Sequence, residues 1–172
     1  MNSKAKGNKY ERDVARFLTR WITGKDNPLL FWRSTSSGAF WTTSRCAEGQ
    51  AGDISAVHVD GQWFIDQYTI ECKSVAPIKF DLGHTGDLEK FWGQAINQAR
   101  GIDREPLLFL KRNNRKELFG CSARIGRFFT DRLSASIVIC FAEFKPEPLA
   151  LFLTSDVQGV PFSEFKKFTE TN

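Results

Sequence analysis

Apolar residues recur every three or four positions over residues 10–22, which is the spacing of one buried face of an α-helix. Asn8 precedes this face and belongs to a residue type that often caps helices. Glycine and proline within residues 24–28 end the pattern. We therefore predict a first helix that begins near Asn8. A similar apolar face predicts a second helix over residues 87–101.

Shorter apolar runs predict β-strands. Two of them, at residues 54–59 and 63–75, are separated by Asp60 and Gly61, a pair that favours a β-hairpin. The continuous apolar run at residues 107–110 is typical of a strand that is buried on both faces. Further strands are predicted at residues 29–33, 137–144 and 149–153, and a short terminal helix at residues 162–168.

This order of elements predicts an α/β fold, α-β-β-β-α-β followed by a β-rich region. A chain of 172 residues suits one domain. We expect a single domain over residues 1–172, with a core at about 1–112 and a β-rich C-terminal extension at about 113–172.

Composition narrows the class of protein. Hydrophobic residues make up 41% of the chain and charged residues 26%, as in soluble globular proteins. No run approaches the ~20 apolar residues of a membrane span. The N-terminal lysines are not followed by an apolar run, so no signal peptide is expected. The four cysteines form no C-x-x-C pair, which argues against a zinc site or a disulfide framework. We predict a cytoplasmic protein with no membrane partner and no small-molecule cofactor.

Positive charge is unevenly distributed. The net charge is only +4, but lysines crowd the first nine residues and four cations lie within residues 111–116. Such clusters favour an anionic partner such as nucleic acid.

The residues with the clearest chemical potential are Glu71 and Lys73. Two positions apart on a predicted strand, they share one face. Two charges on the face of a central strand are costly unless they pair or hold a metal. Asp53 opens the preceding predicted strand, so Asp53 and Glu71 are expected to meet on one metal. Mg²⁺ prefers oxygen ligands, and two carboxylates with a backbone carbonyl, here that of Cys72, suffice as the protein's share.

These residues also carry a resemblance. Glu11 in a Lys-Gly-Asn-Lys-Tyr-Glu-Arg segment, Gly52-Asp53, and Glu71-Cys72-Lys73 together resemble the PD-(D/E)XK nuclease superfamily. The chain is most similar to archaeal-type Holliday junction resolvases and their viral relatives, which share the Lys-Gly-x-x-x-Glu-Arg start and an Arg followed by a Ser-Gly-rich loop, here Arg33 and residues 34–38. The resemblance covers about residues 1–112.

The resemblance implies a restriction-endonuclease-like mixed β-sheet flanked by helices. It also implies Mg²⁺-dependent hydrolysis of phosphodiester bonds by a homodimer with two active sites. Asp53 and Glu71 would be metal ligands, Lys73 the catalytic lysine and Glu11 an accessory acidic residue. Gly52 departs from the pattern, since it stands where the name-giving proline would be. Residues 40–50 form a longer stretch than compact resolvases have, and residues after about 118 have no recognised counterpart.

Other candidate residues are less specific. Gln94 lies on the flank of the second helix, where it would contact phosphate or water near the metal, or would simply be solvated. Glu11 also suits the first turn of a helix on electrostatic grounds alone. Cations and hydroxyls are the groups that contact DNA phosphates. On that basis we predict DNA contacts by Lys4, Lys6, Lys9, Arg33, Ser34, Ser36, Ser37, Arg45 and Lys111.

Three functions remain open at this stage. The first is a structure-selective endonuclease, a Holliday junction resolvase that acts as a dimer on branched DNA with Mg²⁺ or Mn²⁺. The second is a restriction-like or repair endonuclease that cuts duplex DNA. The third is a non-catalytic DNA-binding protein on a nuclease fold, against which the intact set of Asp53, Glu71 and Lys73 argues.

Overall fold

The computed structural model describes residues 3–26, 28–34, 51–75, 86–133, 138–142 and 144–171. The helices are α1 (Ser3–Thr23), α2 (Val59–Gln67), α3 (Gly86–Arg100), α4 (Ala123–Arg132), α5 (Thr154–Gly159) and α6 (Phe162–Thr171). The strands are β1 (Phe31–Arg33), β2 (Ile54–Ala56), β3 (Tyr68–Val75), β4 (Glu105–Arg112), β5 (Leu118–Ser122), β6 (Val138–Ala142) and β7 (Leu149–Leu153). Within these ranges no helix combines the length and the apolar character needed to cross a membrane.

The main sheet has the strand order β3-β4-β5-β7-β6. β3 and β4 are parallel and are joined through α3, whereas the remaining neighbours are antiparallel. β1 and β2 form a separate antiparallel pair. The predicted fold class, a mixed sheet flanked by helices, is therefore confirmed.

Both faces of the sheet are covered, as the continuous apolar run in β4 predicted. Leu107 and Phe109 pack in the core on the side of α1, while Leu108 and Leu110 pack in the core on the side of α3. Successive strand residues point to opposite faces, so a central strand between two helical layers is apolar throughout.

The region after residue 112 completes this core. β5, β7 and β6 extend the same sheet, and α4 and α6 pack on its α1 side. Trp21 of α1 donates a hydrogen bond from Nε1 to the Val160 carbonyl at 2.8 Å. Its ring lies 5.2 Å from that of Phe162 and 5.1 Å from that of Phe165, measured between centroids. The first helix is thus fixed by residues near the end of the chain.

The predicted hairpin at Asp60–Gly61 is wrong, because both residues lie in α2. Gly61 is needed there for close packing: a Cβ at this position would lie 2.8 Å from the Leu30 carbonyl oxygen. Phe64 and Ile65, three and four positions later, are buried on the same helical face. The glycine therefore marks a contact between backbones and not a turn between strands.

The predicted start of α1 is also wrong. The helix begins at Ser3, so Asn8 lies inside it and does not cap it. The Asn8 side-chain oxygen instead accepts a hydrogen bond from Arg33 Nη2 at 3.2 Å. The predicted C-terminal end is confirmed, since Gly24 follows the helix with φ of 71°.

Gly52 determines how the chain approaches β3 just before Asp53. Its φ is +88°, a left-handed conformation that side chains disfavour. A Cβ at this position would lie 2.8 Å from the Ile70 carbonyl oxygen and 3.1 Å from the Ile70 nitrogen. Glycine at this position therefore lets the backbone lie directly against the edge of β3.

We expect Gly52→Ala to lower the free energy of unfolding by about 2–4 kcal/mol, because it combines backbone strain with a backbone clash. Gly24→Ala is the matched control, since Gly24 also has positive φ but nothing lies within 4 Å of its Cβ position. That change should cost only about 1 kcal/mol. Urea unfolding of both variants measures the difference, and equal losses would show that the contact with Ile70 does not matter.

Candidate active site

Asp53 is held against the β3 edge of the main sheet. β3 is the terminal strand of this sheet in the described part of the chain, and the Asp53 amide donates to the Ile70 carbonyl at 2.8 Å. The Cys72 amide in turn donates to Asp53 Oδ2 at 2.8 Å. Since the N–H and C=O of one strand residue point to the same side of the strand, the Cys72 carbonyl faces this edge as well. The structure thus brings Asp53 to β3 without the hairpin that the sequence suggested.

Glu71 lies on the α3 face of β3 and is almost fully buried, at 2% exposure. Its Oε1 pairs with Lys73 Nζ and accepts a hydrogen bond from Gln94 Nε2 at 2.9 Å. Its Oε2 is buried and has no hydrogen-bond partner among the described residues. A buried carboxylate oxygen without a donor is costly, so this atom is available for a further ligand.

Lys73 shares the face of Glu71, as strand alternation predicts. Its side chain is 21% exposed, and its ammonium lies 5.7 Å from the centroid of the Phe91 ring. The lysine is therefore anchored by Glu71 and Phe91 while part of it reaches solvent. This arrangement suits an ammonium group that contacts a bound substrate at the edge of the sheet.

The pKa of Asp53 is raised from 3.8 to about 7. Burial is the largest cause, and the negative charges of Glu71 and Glu11 add to it. The hydrogen bond from the Cys72 amide and the positive charge of Lys73 act in the opposite direction but do not prevail. The two carboxylates thus repel each other in a site that holds too little positive charge, a condition that a bound cation relieves.

The donor set fits a divalent cation such as Mg²⁺. Asp53, the unpartnered oxygen of Glu71 and the outward-facing carbonyl of Cys72 are all oxygen ligands. No group of three or more His, Cys, Asp and Glu side chains in the described part of the chain is placed to hold a metal. A cation here would therefore depend on the backbone carbonyl and on water for its remaining ligands.

Glu11 lies beside this site but is already engaged. It is 8% exposed, and its Oε2 accepts a hydrogen bond from Arg33 Nε at 2.9 Å. Arg33 also binds Asn8, so one guanidinium joins α1 to β1. Glu11 is close enough for its charge to raise the pKa of Asp53. Its predicted accessory role and the predicted contact of Arg33 with DNA remain predictions.

The other predicted DNA-binding residues are found in several places. Ser34 is buried, and its hydroxyl lies 2.5 Å from that of Ser55. Lys111 pairs with Glu117 at 2.6 Å. Lys6 and Lys9 are exposed on α1. The side chain of Lys4 and all of Ser36, Ser37 and Arg45 lie outside the described residues.

Sequence reasoning missed two residues that support the site. Asn8 holds the Arg33 guanidinium, and Ser55 holds the Ser34 hydroxyl. The only available signal was helical spacing, which places Asn8 on the same side of α1 as Glu11, three positions later. No comparable pattern pointed to Ser55, because β1 and β2 pair only in the folded chain.

A family model described as "Phage putative PDDEXK endonuclease" matches residues 2–142, more than half of the chain. The chain belongs to this family. The match runs past residue 112, where the predicted resemblance ended, and it includes the residues of α4 and β6. No curated protein and no solved structure matches the chain.

Metal binding at this candidate site is expected to depend on pH. A ligand carboxylate must lose its proton before it binds a cation, and Asp53 keeps its proton up to a pH of about 7. The apparent affinity for Mg²⁺ should therefore rise about tenfold per pH unit below pH 7 and level off above it. Isothermal titration calorimetry between about pH 5.5 and 8.5 measures this, and an affinity that stays constant across pH 7 would contradict it.

Proposed function

We propose that the chain is a Mg²⁺-dependent DNA endonuclease that hydrolyses phosphodiester bonds in an active site formed by Asp53, Glu71 and Lys73. The observation that carries this proposal is the buried Oε2 of Glu71, which has no hydrogen-bond partner among the described residues. The raised pKa of the neighbouring Asp53 supports it. Two neighbouring carboxylates at the edge of a sheet that have only the charge of Lys73 between them are suited to a divalent cation. Membership of an endonuclease family supports the reaction class.

Asp53, Glu71 and the Cys72 carbonyl would hold the cation. A divalent cation bound there lowers the pKa of a coordinated water and offsets negative charge that develops on the phosphate. Mn²⁺ would fit the same oxygen ligands, so either ion is expected to support cleavage.

The protein's own groups would do the rest of the work. Lys73 would donate a hydrogen bond to a non-bridging phosphate oxygen and stabilise its growing negative charge. Gln94, which donates to Glu71 Oε1, would keep that carboxylate oriented with its other oxygen toward the ligand. The Cys72 amide does the same for Asp53.

For the substrate we propose branched DNA, cut as a Holliday junction by a homodimer. The support is the N-terminal resemblance, Lys6-Gly7 and Glu11-Arg12, together with Arg33, which the structure places on Glu11. Symmetric cuts in a four-way junction need two active sites related by a two-fold axis, and a homodimer with an isologous interface supplies them.

Cleavage of end-labelled four-way junction, linear duplex and single-stranded DNA in Mg²⁺ tests the substrate. The resolvase proposal expects paired, symmetric cuts in the junction and little cleavage of the other two. Equal cleavage of linear duplex would overturn the junction preference and favour a restriction-like or repair enzyme. Sedimentation of the protein with and without junction DNA tests the dimer, and a monomer that still makes paired cuts would contradict it.

A further inference from the structure

A cationic cleft lies on the opposite face of β3 from Glu71 and Lys73. It has a volume of about 300 Å³ and is bounded by the first turns of α1 and by the turn between β4 and β5. Ser74, which directly follows Lys73, lines it. Because strand residues alternate, Ser74 points away from the face that carries Lys73. A DNA strand that passes around the end of β3 would meet both surfaces.

The charge of this cleft is strongly unbalanced. Lys6, Lys9, Arg112 and Arg115 line it, whereas Asp13 is the carboxylate among its lining residues. Burial and the neighbouring charge of Arg115 lower the pKa of Arg112, as expected where guanidinium groups crowd together. An anion in the cleft would relieve that repulsion.

Lys111 has a different part in the cleft. It pairs with Glu117 at 2.6 Å and lies 3.8 Å from Asp13 and 5.3 Å from the centroid of the Tyr10 ring. The positive charge of Lys111 is thus largely compensated within the protein. Its contacts stabilise the wall of the cleft. The charge available to a ligand comes from Lys6, Lys9 and Arg115.

Tyr10 supplies an independent sign of a ligand. This residue lines the cleft and is 1% exposed, yet its hydroxyl has no hydrogen-bond partner in the described part of the chain. A buried hydroxyl without a partner is costly and calls for an explanation. A tyrosine hydroxyl can donate a hydrogen bond to a phosphate oxygen.

We propose that this cleft, formed by Tyr10, Lys6, Lys9 and Arg115, binds a backbone phosphate of the DNA strand next to the phosphate that is cut. The proposal rests on the proposed function for the position of the cut. It gives the β4–β5 turn a direct role in holding DNA. Consecutive phosphates on one strand of duplex DNA advance by about 3.4 Å along the helix axis. A contact one or two nucleotides from the cut therefore suits a cleft that begins at the residue after Lys73.

The test compares Arg115→Gln and Tyr10→Phe with Lys116→Gln. Lys116 lies on the same turn and carries the same charge, but it does not line the cleft. Binding of fluorescein-labelled four-way junction DNA is measured by anisotropy in EDTA, at salt concentrations from about 50 to about 200 mM. Thermal melting without DNA shows whether each variant is folded.

Arg115→Gln is expected to weaken binding about tenfold at low salt and to reduce the slope of log affinity against log salt by about 0.9. Lys116→Gln should change the slope by less than half as much. Tyr10→Phe should leave the melting temperature unchanged or raised, since it removes an unpartnered hydroxyl, and should weaken binding about threefold to tenfold. Equal slopes for the Arg115 and Lys116 variants, or wild-type binding by Tyr10→Phe, would overturn the proposal.

Single methylphosphonate substitutions in the cut strand locate the contacted phosphate. Removing the charge of that phosphate should weaken the wild type about tenfold and Arg115→Gln hardly at all. Equal sensitivity of both proteins at every position would overturn the proposed contact. Because binding is measured in EDTA, a protein that shows the slope difference but cuts no DNA would contradict the proposed function and leave the phosphate site standing.

Discussion

Replacing Asp53 with Asn is expected to lower the rate of Mg²⁺-dependent DNA cleavage by about three orders of magnitude or more, while DNA binding in EDTA stays within about threefold. Asn keeps the shape of Asp, and its side-chain oxygen can still accept the hydrogen bond from the Cys72 amide. The change removes only the negative charge that a cation needs. Single-turnover cleavage of labelled DNA, with protein in excess, measures the rate.

The same variant should be more stable than the wild type in the absence of metal. The unfolded Asp53 carboxyl loses its proton near pH 3.8, whereas the folded one keeps it up to about pH 7. The wild type therefore loses free energy of unfolding as the pH rises between these values. Asn carries no such charge, so Asp53→Asn should have the higher melting temperature at pH 8 without metal.

Asp60→Asn is a suitable control for both measurements, since the Asp60 side chain is 70% exposed on α2. This variant should cleave DNA at nearly the wild-type rate. A melting temperature that falls for Asp53→Asn in parallel with its activity would mean that Asp53 has a structural role, which would contradict the assignment as a ligand.

Lys73→Met is expected to lower the single-turnover rate about 100- to 1,000-fold without abolishing metal binding. Methionine retains much of the length of the lysine side chain but cannot stabilise charge on a phosphate. It also leaves Glu71 Oε1 without its ammonium partner, so the site becomes more negative and should bind Mg²⁺ at least as tightly. Lys73 would then act on the substrate and not on the cation.

Separate measurements distinguish these effects. Calorimetry gives the Mg²⁺ affinity, and a cleavage assay at saturating Mg²⁺ gives the rate. Lys90→Met is the control, because Lys90 is an exposed lysine on α3, the helix that carries Gln94. Loss of metal binding in Lys73→Met, or an unchanged cleavage rate, would contradict the role proposed for Lys73.

Local sequence patterns were enough to predict part of the candidate site. Two-residue alternation places Glu71 and Lys73 on one face of β3, and this depends only on the strand itself. Asp53 was placed next to them for the wrong reason. Its position depends on Gly52, whose close contact with Ile70 joins segments that are far apart in sequence.

The errors in the fold have similar causes. Gly61 was interpreted as a turn residue because its contact with the Leu30 backbone is absent from the local sequence. α4 was missed although Ile125, Phe128 and Phe129 are spaced as one buried helical face. β5 is buried over all five of its residues and shows no alternation, so its sequence alone does not distinguish a strand from a buried helix.

The most direct test of the central claim is cleavage of a supercoiled plasmid whose inverted repeat forms a cruciform, a substrate that offers both duplex and four-way junction. With Mg²⁺ the wild type should convert the plasmid to nicked or linear DNA, whereas wild type in EDTA and Asp53→Asn in Mg²⁺ should leave it supercoiled. Absence of cleavage by the folded wild type in both Mg²⁺ and Mn²⁺, or wild-type cleavage by Asp53→Asn, would contradict a metal-dependent nuclease site at Asp53, Glu71 and Lys73.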